Sequence, residues 1–247
     1  MDPAYYVAAG SLKARTYQLD TVSNNLANAD TVGYKGERSF FTVFNKAKDQ
    51  GRGLPLSGFV NDGTVLATRG MDFTQGNLRT TGRKLDLAIT GDGFFMVKTP
   101  AGVMATRDGR FQLGKDGQLT AMDGAPLLGK NGLPISVDPA GGNFDILADG
   151  TVQQGANTLG QIELKGFANP TALTRIGGNR YDPAGSKETA VTATVNQGAL
   201  EQSGVDVATC MIDMIRLNRL FEMSMKVAST LSNDLDARSI SDVSTGR

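Results

Sequence analysis

From Asp206 to Ala237 the chain runs without a single Gly or Pro. A helix of that length spans about 48 Å, well beyond the usual globular helix. One stripe of it is polar: Asp206, Thr209, Asp213, Arg216, Arg219, Glu222, Lys226, Ser229 and Asn233. Much of the rest is apolar, including Met211, Ile212, Met214, Ile215, Leu217, Leu220, Phe221, Met223, Met225, Val227, Leu231 and Leu235. This arc is wider than the two-per-seven seam of a simple coiled coil, so the helix is expected to meet more than one neighbour. The other end of the chain repeats the theme. From Ala4 to Ala29 there is no Pro and only Gly10. Tyr5, Ala9, Leu12, Thr16, Leu19, Val22 and Leu26 recur at spacings of three and four, the stripe of a second amphipathic helix. Asp30-Thr-Val-Gly33 supplies its stop.

Between the helices the pattern changes. The chain holds 31 Gly in 247 residues, more than the ordinary share of about 7%, and most lie in this middle part. Residues 36–70 have little periodicity and read as a linker or hinge with short strands. From Met71 onward strand signals dominate. Leu85-Asp-Leu-Ala-Ile89 precedes a Gly91-Asp-Gly93 turn and Phe94-Phe-Met-Val97 follows it. Asp-Gly pairs recur at Asp92, Asp108, Asp116, Asp123 and Asp149. They are read as two-residue hairpin turns, in which both central residues take positive φ. The fold class expected is α+β: a mainly-β central domain, 71–203, with the long terminal helices, in 1–35 and 204–247, paired as one coiled-coil-like module. Pattern alone leaves a second arrangement open, in which both helices fold back on the β domain.

The composition removes most chemistry. Lys plus Arg and Asp plus Glu are each 25, so the net charge is zero and nothing draws the chain to nucleic acid or anionic lipid. There is no His, which excludes Ser-His-Asp and Cys-His arrangements. The single Cys210 lies in the apolar C-terminal helix and reads as packing. Zinc ligands, a phosphate-binding Gly-rich loop and a dinucleotide fingerprint are all missing, and the Asp-Gly pairs lack the spacing of calcium loops. No cofactor is expected. A carbohydrate-binding β domain with helical arms would want an aromatic platform, yet the chain has no Trp and five Tyr. No apolar run is long enough to span a membrane, and the first residues lack the parts of a cleaved signal peptide. On these grounds alone the chain reads as cytosolic.

Asn24, Asn25 and Asn28 sit on the first helix, where Asn costs stability relative to Ala. Two readings stand side by side: a solvated helix end, or amides that hydrogen-bond to neighbouring subunits in a packed assembly.

These asparagines belong to a longer stretch. Val22-Ser-Asn-Asn-Leu-Ala-Asn-Ala-Asp-Thr-Val-Gly-Tyr-Lys35 closely resembles the N-terminal signature of bacterial flagellar rod and hook proteins. Leu85–Val97 is similar to the family's central motif, Thr106-Arg-Asp-Gly-Arg-Phe111 with Gly117-Gln-Leu119 to the unit after it, and Gln197–Asp206 to the lead-in of the C-terminal helix. Gly204 stands where the family often has Asn. Met1-Asp-Pro-Ala-Tyr-Tyr-Val7 and Phe221-Glu-Met-Ser-Met-Lys-Val227 look most like the family's proximal-rod members, with the distal-rod members next. The resemblance implies a structural subunit, not an enzyme, that polymerises helically with itself and with other rod subunits around an export channel. It implies terminal helices paired in an inner coiled-coil layer. It also implies export by the flagellar type III apparatus without a cleaved signal, and a final place in the rod crossing the periplasm, which revises the cytosolic reading. Leu19, Val22, Asn24, Asn25, Leu26, Asn28, Met211, Ile215, Phe221, Met225 and Leu231 are the expected assembly interface.

Overall fold

The computed structural model describes residues 3–44, 64–189 and 191–244, with the side chains of 3–9, 40–44, 64–69, 231, 232 and 234–244 left aside. Helix α1 is Pro3–Ala27, strand β1 is Glu37–Phe44, strand β2 is Thr64–Met71, and helix α2 is Val207–Ser244. Between β2 and α2 every other regular strand is short. The chain separates into two compact units. One takes in α1, β1, β2 and α2; the other is Asn28–Gly36 together with Met71–Asp206.

The second unit holds the apolar core. Its largest sheet has six strands and is built around the antiparallel pair Phe94–Thr99 and Gly102–Thr106, with Phe95 opposite Thr106 and Thr99 opposite Gly102. Successive side chains of a strand point to opposite faces. Phe95 and Val97 therefore enter one cluster, with Leu87, Phe111, Leu119, Leu127 and Ile162. Phe94 and Met96 enter another, with Ala105, Phe167 and Tyr181. The unbroken apolar run Phe94–Val97 is thus a strand buried on both faces. Phe73, Phe94 and Tyr181 meet edge to face, with ring centroids 5.3–5.9 Å apart.

The Asp-Gly turns differ from the two-residue hairpins expected. Gly117, Gly124 and Gly150 take positive φ, but their preceding Asp residues do not; among the described residues Asn179 alone does so without being glycine. Two of these Asp carboxylates are occupied instead. Asp149 Oδ1 accepts the Thr151 N–H at 2.9 Å and Asp123 Oδ1 accepts the Ala125 N–H at 3.4 Å. This side-chain bond to a backbone two residues on holds Asp in an ordinary conformation and leaves only the glycine left-handed.

Gly109 serves a different need. Leu87 N–H donates to its carbonyl at 2.9 Å, and a Cβ at Gly109 would stand 1.5 Å from the Leu87 carbonyl oxygen. Gly109→Ala is expected to cost about 3 kcal/mol by forcing two backbone segments apart, read as a lowered urea midpoint with an unchanged slope.

The expected coiled-coil pairing of the termini is overturned. The two helices are single helices, one at each end, and they are neighbours within one unit. A coiled coil buries apolar knobs along a continuous seam. Here no described side chain of α2 is buried, and in α1 the buried ones are Thr21 and Asn25. The physical reason lies in what α1 packs on. Thr21 Oγ1 and Ser39 Oγ are 2.6 Å apart, and Asn25 bonds the backbone of Glu37, so the two buried side chains of α1 are spent on polar contacts to β1 rather than on a buried apolar seam with α2.

Candidate functional site

The signature stretch splits at the end of α1. On the helix, the Asn25 amide makes two bonds to one residue: its Nδ2 donates to the Glu37 carbonyl at 2.7 Å and its Oδ1 accepts the Glu37 N–H at 2.8 Å. It thereby imitates a strand partner for β1. That is a third role, neither solvation nor a bond to another subunit. Leu19, Val22 and Leu26 are half-buried, Asn24 is exposed, and Asn28 is half-buried with its carbonyl accepting the Thr31 N–H. On α2, Met211, Ile215 and Met225 are exposed and Phe221 is half-buried. The side chain of Leu231 lies outside the described residues.

The apolar side chains of α2 set this helix apart. Met211, Ile212, Ile215, Met223, Met225 and Val227 are 49–66% exposed. Exposing several large apolar residues along one helix is unusual for a self-contained chain. Among the described residues, no helix is long and apolar enough to cross a membrane.

After α1, the loop Asn28–Gly36 is gathered into the second unit by bonds that sequence reasoning did not foresee. Lys35, Arg107 and Glu201 form a buried charge cluster. Lys35 Nζ donates to Glu201 Oε1 at 2.6 Å and to the Thr74 carbonyl at 2.9 Å. Arg107 Nη1 donates to Glu201 Oε2 at 3.1 Å, and its Nη2 to the Gly91 carbonyl at 2.7 Å. The Gly76 N–H completes the carboxylate at 3.0 Å. The three side chains are 1–4% exposed. Burial lowers the pKa of the Lys35 ammonium, while the Glu201 carboxylate works to raise it.

The backbone is tied at the same place. Gly33 N–H donates to the Glu201 carbonyl at 2.8 Å and Gly204 N–H to the Tyr34 carbonyl at 3.1 Å. Gly33 has φ of +66°, and a Cβ there would lie 2.4 Å from the Arg107 carbonyl oxygen, so no other residue fits this crossing without strain. Arg175 donates to the Lys35 carbonyl at 2.8 Å and lies over the Tyr34 ring, 4.4 Å from its centroid. Asn179 Nδ2 donates to the Val32 carbonyl at 2.7 Å. Beside the cluster is a cleft of about 470 Å³ lined by Phe73, Phe94, Phe167 and Arg107, among others. The Arg107 guanidinium is committed to Glu201 and Gly91. Each of the three residues lies in a different one of the stretches singled out from the sequence, but neighbours such as Thr106 and Asp108 beside Arg107 give no local sign of burial.

Three stretches of the chain match described protein families. Residues 6–35 match the flagella basal body rod protein family, 88–154 the flagellar hook protein FlgE/F/G D1 domain, and 196–240 the flagellar basal body rod FlgEFG protein C-terminal region. Whole relatives are similar as well. The flagellar basal-body rod protein FlgF of Caulobacter vibrioides is 36% identical, covering 92% of each chain. FlgF of Mesorhizobium japonicum is 33% identical, covering 90% of each. FlgG of Bacillus subtilis is 32% identical, over 91% of this chain and 93% of its own. The likeness runs from the signature on α1 through the β unit to α2, and the chain belongs to the family of flagellar basal-body rod proteins that includes FlgF and FlgG, structural components of the basal body rather than enzymes.

Proposed function

We propose that this rod subunit assembles through the open apolar side of α2, which neighbouring subunits cover in the rod. The observation that carries the reading is the exposure of Met211, Ile212, Ile215, Met223, Met225 and Val227 in the free chain. Where one face of a subunit meets a different face of the next and the rotation does not close, subunits stack into a helix. That arrangement suits a rod built around a channel. The expected contact set is Leu19, Val22, Asn24, Leu26 and Asn28 on α1, and Met211, Ile215, Phe221, Met225 and Leu231 on α2. Asn25 contributes by holding α1 on β1.

Within the family we assign the chain to the proximal rod, with FlgF, on the wording of Met1–Val7 and Phe221–Val227. Other rod subunits are then its partners, the flagellar type III apparatus its route of export, and the periplasm its final compartment. Electron microscopy of purified basal bodies carrying a tagged chain tests this. Density at the inner end of the rod is expected; density confined to the outer end would reassign the chain to the distal rod.

A helix that buries little on its own subunit is weakly held before assembly. Amide hydrogen exchange on a verified monomer is therefore expected to show fast exchange across 207–230 and slow exchange in the strands of 94–106. Strong protection along α2 in the monomer would contradict the coupling of its order to assembly.

A further inference from the structure

We infer that Glu201 is a positioning residue that locks the segment following α1 to the segment preceding α2 inside the β unit, so that the two roots of the assembling helices are held together. The segment that follows α1, Asn28–Gly36, and the segment that precedes α2, Gly198–Asp206, lie far apart in sequence yet are bonded to each other inside one unit. Glu201 supplies two of these links and, through Arg107, a third bond to the chain between them. Its carbonyl accepts the Gly33 N–H at 2.8 Å, its Oε1 accepts Lys35 Nζ at 2.6 Å, and its Oε2 accepts Arg107 Nη1 at 3.1 Å. The Gly204 to Tyr34 bond closes the crossing from the other direction.

The charges make the lock conditional. Lys35 and Arg107 are both buried, and Glu201 is the carboxylate paired with both. Arg107 Nε has no partner, so this guanidinium is incompletely compensated even with Glu201 in place. Withdrawing Glu201 leaves two like charges facing each other out of water, which favours swinging one root away. A fully apolar crossing would be as compact but would not fix direction, because apolar contacts are non-directional, whereas a carboxylate held by three donors permits one orientation. The three residues come from three separated stretches of the chain: the segment after the first helix, the end of strand Gly102–Thr106 in the β unit, and the strand Ala199–Glu201 that precedes the last helix. The lock therefore forms only in a chain whose two helix roots have both reached the β unit.

The importance of the lock for assembly rests on the reading of the terminal helices as the assembling parts; the lock itself does not. Spin labels at Asp30→Cys and Gln202→Cys, both exposed positions on the two roots, would be placed in the full chain with Cys210→Ser. Continuous-wave dipolar broadening reports whether the roots stay close. Glu201→Gln is compared with Ile162→Ala, a core change in the other cluster of the same unit, at a urea concentration where both are equally folded. Expected is loss of broadening in Glu201→Gln and its retention in Ile162→Ala, with incorporation into basal bodies lost only in the former. Equal loss in the two variants would make Glu201 merely a stabilising residue and overturn the inference. Loss of broadening with normal incorporation would keep the lock and refute its role in assembly, without touching the reading of α2.

Discussion

Glu201→Ala is expected to destabilise the β unit by about 3–5 kcal/mol, because it strands the Lys35 ammonium and the Arg107 guanidinium in the interior. The direction follows from an asymmetry. The net worth of a buried ion pair is small, since both charges lose water on folding, but removal of one member leaves the other's desolvation uncompensated. The cluster has two cations and one anion, so the anion is the member whose loss hurts most. Lys35→Met is expected to cost less than half as much, since Glu201 keeps Arg107 and the Gly76 N–H. The apolar set Lys35→Met, Arg107→Met and Glu201→Leu should recover much of the loss, as apolar replacements of buried charge clusters do. Urea unfolding followed by the Tyr signals of the β unit gives all three values. A loss below about 1 kcal/mol for Glu201→Ala would mean that water or a moved side chain satisfies the cations, and that the cluster is no anchor.

Ile212→Asp and Ile215→Asp carry the second large effect, and it falls on assembly rather than on folding. The two side chains are 66% and 57% exposed. Surface changes of this kind stay within about 0.5 kcal/mol when nothing is packed on them. The urea midpoint of the free subunit should therefore not move. In the rod the same carboxylates would be buried without partners, at a cost of several kcal/mol per site, so incorporation and swimming should fail. Phe221→Asp and Leu26→Asp should also block incorporation, but these half-buried residues should lower monomer stability too. The contrast between the pairs separates a surface waiting for a partner from a surface already used. Normal swimming with both Ile variants would refute the interface.

Sequence pattern carried far in some places and stopped in others for identifiable reasons. The breadth of the apolar arc on α2 was legible because helical period converts spacing directly into faces. What covers that arc was not legible, since periodicity describes a face and says nothing of its occupant. The coiled-coil expectation failed on this point: α1 uses Thr21 and Asn25 against β1, and an amide that completes a strand edge has no periodic signature. The run Phe94–Val97 announced a strand, and its lack of alternation fits burial on both faces. The Asp-Gly pairs located turns at Asp116, Asp123 and Asp149 but not at Asp108, and misstated their kind, because the carboxylate bond to the residue two ahead competes with a left-handed Asp. The charge cluster was hidden differently. Lys35, Arg107 and Glu201 each lay inside a stretch that marks the family, but Lys35 and Glu201 are 166 positions apart. A chain with 25 charges of each sign offers no way to choose that pair.

Burial of α2 on passing from free subunit to rod can be read at a single residue. Met225→Cys in a Cys210→Ser chain places one thiol on the open side of the helix, where Met225 is 49% exposed. Maleimide labelling should be rapid and complete on the purified subunit and blocked in intact basal bodies, returning when the rods are dissociated. Equal labelling in both states would contradict the claim that neighbouring subunits cover this face.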